Sequence, residues 1–146
     1  MENSVKQVIV MRKDLGMRRG KQIAQGAHAS MKVILDMMQK STSEENSTSE
    51  FPRPSIKYIT RTLVFNDNSP TEHWLSGAFT KICVYVNSEE ELDEIMAKAK
   101  ESNIHCALII DNGATEFNGV KTKTCCAIGP DWSDTIDTIT GDLPLL

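Results

Sequence analysis

Short apolar runs of strand length alternate with stretches of helical period along this chain, and that alternation restricts it to an α/β fold. Residues 5–11 form a Val/Ile-containing run followed by a Gly-punctuated basic loop, which predicts a first strand. From Gly20 onward, Ala24, Ala27, Met31, Ile34, Leu35 and Met38 recur at helical spacing. They predict an amphipathic helix of about five turns with that stripe buried and Lys21, Gln25, His28 and Lys32 on the opposite side. Residues 79–86 alternate, with Ile82, Val84 and Val86 on one face, and predict a second strand. Ser88-Glu89-Glu90-Glu91 is a capping box that opens a helix buried through Leu92, Ile95, Met96 and Ala99. The continuous apolar run 105–110 predicts a third strand covered on both faces and ended by Asp111-Asn112-Gly113. Residues 122–128 predict a fourth strand cut off by Gly129-Pro130, after which Asp131 caps a last helix through Ile136 and Ile139 to Gly141. The order β-α-β-α-β-β-α implies an α/β single domain over residues 1–146, with a four-stranded mixed β-sheet and helices on both faces.

One stretch interrupts the pattern. Ser-Thr-Ser-Glu occurs twice within residues 41–50, followed by Phe51-Pro52-Arg53-Pro54, and predicts a solvated loop. Residues 56–65 read as a strand or a short helix, broken by Asn66-Asp67-Asn68-Ser69-Pro70. Residues 41–72 together form a polar insertion, and His73 follows in a polar segment.

A chain of 146 residues buries a sufficient core without disulfides or a structural metal. Residues 1–40 hold eight Lys/Arg against three Asp/Glu, a net of +5, whereas the remaining 106 residues hold eight against seventeen, a net of −9. That balance excludes a global polyelectrolyte binder and confines any nucleic-acid contact to a patch, with salt-dependent affinity. Cys83, Cys106, Cys125 and Cys126 lack zinc-ligand spacing and are expected as buried thiols in a reducing compartment. The start, Met-Glu-Asn-Ser-Val-Lys-Gln, lacks a signal peptide's basic head and long apolar stretch, and no apolar run reaches the ~20 residues of a membrane span. The cytoplasm is therefore the expected location. Asn46-Ser47-Thr48 matches a glycosylation acceptor, which matters only in a secreted chain.

Gly20-Lys21 sits at a loop-to-helix junction, where free amides and the helix dipole favour an anion and Arg18, Arg19 and Lys21 add charge. The alternative is a solvated basic loop; the Walker pattern is absent. Asp111, at a strand end, is either a general base or the opening residue of an Asx turn. Thr115 and Thr124 lie close to it in sequence, where each hydroxyl holds a water or a carbonyl or simply serves the turn and the strand. His28 is an acid/base candidate or a packed histidine. Trp74 and Trp132 stack on bases or pack. No Ser/His/Asp or Cys/His nucleophilic set is visible.

The string Lys6-Gln7-Val8-Ile9-Val10-Met11-Arg12-Lys13-Asp14-Leu15, with Gly20-Lys21 and Ala24-Gln25-Gly26-Ala27-His28-Ala29, resembles the type II (archaeal and eukaryotic-type) peptidyl-tRNA hydrolases. Residues 81–86, Ile110-Asp111-Asn112-Gly113-Ala114-Thr115-Glu116, and Thr124-Cys125-Cys126-Ala127-Ile128-Gly129-Pro130 running to Leu146 agree in the same order. The resemblance covers residues 5–40 and 73–146, and the combination of motifs carries it. It implies hydrolysis of the ester joining a peptide to tRNA, releasing free tRNA, with no metal and no organic cofactor, by a domain that forms a homodimer. It assigns catalytic positions to Lys21, Asp111, Thr115 and Thr124 and matches Arg12, Gln25 and His28 to substrate-binding positions, while Arg18, Arg19 and Lys32 are the cations expected to hold the tRNA phosphates. In that scheme Asp111 orients or deprotonates a water while Lys21 stabilises the oxyanion, and no membrane is involved.

Two departures stand out. Arg19-Gly20-Lys21 replaces the family's frequent Lys-Gly-Lys, presenting a planar fork instead of a point charge. The 41–72 segment is longer than the usual connection, whereas Cys125-Cys126 is a packing change. A non-catalytic RNA-binding or regulatory module with the same fold is the alternative, and retention of Lys21 and Asp111 speaks against it. A third reading makes the Ser-Thr-Ser-Glu loop the functional element of an interaction protein.

Overall fold

A computed structural model describes residues 4–46, 50–51 and 53–146. The main sheet has the order β4-β1-β6-β5. Its central strands are β1 (Val5–Arg12) and β6 (Thr122–Trp132), flanked by β4 (Lys81–Val86) and β5 (Cys106–Asp111). β1 is parallel to β4 and antiparallel to β6, and β5 is antiparallel to β6, so the sheet is mixed as expected. Alternation along β1 sends Val8 and Val10 to one face and Ile9 and Met11 to the other. The first face packs against α3 (Glu89–Glu101) and α4 (Ser133–Thr140) through Leu92, Ile95, Met96, Ala99, Ile136 and Ile139. The second packs against α1 (Arg19–Met37) through Ala29 and Val33. Ser88 caps α3 by accepting from Glu91 N–H at 3.1 Å, and the Glu91 carboxylate returns to the N–H of Asn87 at 2.6 Å.

The first helix turns its other side to the sheet. The expected stripe is largely solvent-facing, with Ala24, Ala27, Met31 and Leu35 exposed, and the buried positions are Gln25, Gly26, Ala29 and Val33. Two polar bonds fix this rotation. Ser30 Oγ donates to the Oε1 of fully buried Gln7 at 2.6 Å, and Thr124 donates to Gln25 Oε1. Gly26 faces Ile9 and Met11 of β1, where a Cβ would make ordinary van der Waals contact at 3.7 Å. Apolar periodicity misleads here because the packed face includes Gln25 and the partly buried Ser30, whose polar groups are satisfied by the sheet.

The insertion is not a loop throughout. β2 (Gln39–Glu45) and β3 (Ile56–Thr62) form a separate antiparallel pair, so the 56–65 stretch is a strand as far as Thr62. Every residue of both strands is exposed, so the pair is an arm beyond the core. The second Ser-Thr-Ser-Glu and the Asn46-Ser47-Thr48 match fall at least partly outside the described residues. A short helix, α2 (Pro70–Ser76), follows. Ser69 caps it by accepting from Glu72 N–H at 3.2 Å, and Pro70 occupies the first turn. His73 thus lies on a helix, 5.3 Å from the Trp132 ring, and Trp74 is buried with its indole N–H on Thr80 O at 2.8 Å.

β5, although an edge strand, is covered on both faces as expected: Cys106 and Leu108 pack on the α3 side and Ala107 and Ile109 on the α1 side, and only Ile110 at its end is 56% exposed. Further expectations need correction. β6 continues through Gly129-Pro130 to Trp132, because the proline falls where the β1 register shifts and no ladder donor is needed. Asp131 therefore sits in the strand, accepting from Trp132 N–H at 2.7 Å, and does not cap α4. Of the cysteines, Cys125 and Cys126 are buried but Cys83 is exposed. No helix among the described residues is long and apolar enough to cross a membrane.

Candidate active site

The first turn of α1 and the end of β5 bring two groups together that are ninety positions apart in sequence: Lys21 Nζ lies 2.8 Å from Asp111 Oδ1. Each side chain is mostly sequestered, 14% and 11% exposed. α1 starts without a side-chain cap, so its first amides keep the anion preference of a helix N-terminus.

Asp111 is held from three sides. Lys21 and Gln25 Nε2, at 3.2 Å, both donate to Oδ1, and Gly113 N–H donates to Oδ2 at 2.9 Å. The last bond is the Asx turn expected of Asp-Asn-Gly, so the turn and site readings of Asp111 are both realised. Gly113 is needed there: its φ is +79°, and a Cβ would lie 2.6 Å from Val120 O. The Lys21 hydrogen bond holds the Asp111 carboxyl below its ordinary value; burial opposes this, and the Gly113 and Gln25 donors support it.

Lys21 also donates to Thr115 Oγ1 at 3.1 Å, and its ammonium lies 5.9 Å from the Phe117 ring centroid. Thr124 is fully buried beneath the site and orients Gln25. Burial pushes the neighbouring Cys125 thiol up to about 12, which keeps it protonated, and its Sγ lies 3.3 Å from Gln25 O.

Lys21, Gln25, Asp111, Thr115 and Thr124 are therefore one connected cluster. The remaining candidates surround it or lie apart. Arg18, 81% exposed, pairs with Glu116 at 3.0 Å. Arg12 is committed within the protein, bidentate to Asp14 and bonded to Lys123 O at 3.1 Å. Arg19 and His28 are exposed on α1, and Lys32 pairs with Asp36 one turn on, at 3.0 Å. Sequence reasoning missed Glu116 as a partner of Arg18. Among the described residues no group of three or more His, Cys, Asp or Glu side chains is placed to hold a metal ion.

The fold agrees with the comparisons. The family model described as Peptidyl-tRNA hydrolase PTH2 matches residues 5–146. Curated relatives include a peptidyl-tRNA hydrolase of Methanocaldococcus jannaschii, 37% identical over 142 residues, covering 97% of this chain and all of the relative. Those of Methanopyrus kandleri and Sulfurisphaera tokodaii are each 35% identical, over 97% and 98% of this chain and 97% and 99% of their own lengths. The chain belongs to the peptidyl-tRNA hydrolase PTH2 family.

Proposed function

We propose that this protein hydrolyses the ester between a peptide and tRNA, using Lys21 and Asp111 as its central pair. The carrying observation is their 2.8 Å contact beside the exposed basic residues Arg18 and Arg19. An ammonium has three donors; Asp111 and Thr115 take two, which leaves one for the ester oxygen as it becomes an oxyanion. Such a donor is typically worth about 3–4 kcal/mol. A carboxylate has about four acceptor positions. Lys21, Gln25 and Gly113 occupy three, leaving one to hold a water. So strongly hydrogen-bonded a carboxylate is a weak base, and Asp111 acts chiefly by orienting the water and Lys21. Thr115 and Thr124 hold Lys21 and Gln25 in place. Arg18 and Arg19 meet the tRNA phosphates, with His28 and Lys32 further along α1; Arg12 acts as an internal clamp.

The Lys21 ammonium supplies the positive charge that a metal would otherwise provide, so activity is expected to persist in EDTA. A homodimer and a cytoplasmic location complete this reading, with residues 1–146 as one domain and 41–72 as its insertion. A second copy has a face to cover: an apolar groove of about 520 Å³ between α1 and β4, lined in part by Ile23, Met31, Trp74 and Phe79. The test is cleavage of N-blocked and of free aminoacyl-tRNA in EDTA. Release of tRNA from the blocked ester supports the reading, and no release from either overturns it. A non-catalytic module binds tRNA and leaves the ester intact.

A further inference from the structure

The β2–β3 arm has two chemically different faces. Residues directly opposite in an antiparallel pair share a face, so Lys40 and Arg61, Thr42 and Ile59, and Glu44 and Lys57 make one surface. Gln39, Ser41, Ser43 and Glu45 with Ile56, Tyr58, Thr60 and Thr62 make the other, where Tyr58 donates to Glu45 at 3.2 Å. The first face thus has three cations and one acid; the second has no cation.

Lys40 and Arg61 are the informative pair. Like charges directly opposite destabilise a hairpin, and a lone two-stranded sheet has little stability to lose. Among the described residues neither forms an ion pair, although the chain is acidic overall and Arg18, Lys21 and Lys32 at and along α1 are each paired with a carboxylate. Two unneutralised cations held side by side on a protruding arm are complementary to a polyanion.

We infer that the Lys40–Arg61 face of the arm binds the phosphate backbone of the tRNA's double-helical part, as a second contact remote from the ester. This rests on the reading of the chain as a peptidyl-tRNA hydrolase. The arm leaves the far end of α1, whose length from Lys21 to Met37 is about 24 Å at 1.5 Å per residue. A ligand that reaches both ends must therefore be long and anionic along its length. A-form RNA, read by proteins mostly through shape and backbone, has that form.

The test compares wild type with K40S/R61T on two esters, N-blocked aminoacyl-tRNA and the same N-blocked aminoacyl group on a 3′-terminal trinucleotide, and on binding of uncharged tRNA across a salt series. For the variant we expect about tenfold weaker tRNA binding, a log–log salt slope shallower by about two, and a raised KM with unchanged kcat on the whole tRNA. Cleavage of the trinucleotide ester should be unchanged, and the thermal midpoint equal to or above wild type because a repulsion has been removed. Unchanged affinity and slope for tRNA overturn the arm's role. Loss of trinucleotide cleavage with a lowered midpoint also overturns it, because the two cations would then be supporting the fold. Tight, arm-dependent tRNA binding without cleavage of either ester keeps the arm contact and removes the hydrolase reading instead.

Discussion

Thr124 donates its hydroxyl hydrogen to Gln25 Oε1, and this buried bond determines which end of the Gln25 amide faces Asp111. With the carbonyl oxygen satisfied by Thr124, the NH₂ must point to the carboxylate, so a strand residue that never reaches solvent organises the site.

Thr124→Val keeps the volume and removes the donor. Leaving Gln25 Oε1 buried without a partner should cost about 1–3 kcal/mol of stability. Thr124→Ser should restore most of it. Denaturant unfolding of both variants checks this; equal midpoints for Val and Ser would show that the bond does not orient the amide.

Gly113→Ala should disturb the site without altering any charged group. The new Cβ would press on Val120 O at 2.6 Å and on a positive φ, costing more than about 1 kcal/mol and pulling the Gly113 N–H off Asp111. A fall in kcat together with a lower thermal midpoint is the expected outcome.

The pH dependence follows from the direction of the Asp111 shift. Its carboxyl is held below the unfolded value of about 3.9, so the pair's stabilisation is complete above that pH and is lost as pH falls through the lower folded value. In Lys21→Met the strongest influence lowering it is gone while burial remains. The carboxyl should then titrate at higher pH, and the acid-linked loss of stability that Asp111 contributes should shrink. Carboxyl-carbon NMR titration of both proteins reads this directly; equal midpoints would contradict the coupling.

The thiols should react in order of access. Cys83 is exposed, whereas Cys125 and Cys126 are buried and shifted upward by burial. Mass spectrometry after alkylation at neutral pH should find Cys83 modified in the native protein, and Cys125 and Cys126 only after unfolding.

The main sheet was readable because its strands have a core to face: Val8, Val10, Val84 and Val86 alternate or run apolar as burial demands. The arm was not, because Gln39–Glu45 and Ile56–Thr62 bury nothing, and alternation records burial rather than strand pairing. α1 was legible as a helix but not in its rotation, since Gln25 and Gly26 are indistinguishable from surface residues until Thr124 and the β1 side chains lie beneath them. Lys21 and Asp111 stood out through motif and local position. Their contact across ninety positions depends on α1 crossing β5 and β6, and local sequence carries no distance.

The central claim is that Lys21 and Asp111 work as one unit, and a double-mutant cycle in kcat/KM on N-blocked aminoacyl-tRNA tests it most directly. Each of Lys21→Ala and Asp111→Ala should lower the rate by at least about 10²-fold with native circular dichroism, and the double variant should be little worse than either alone. Additive losses would contradict the unit, and near-wild-type rates in both single variants would remove the pair from the reaction altogether.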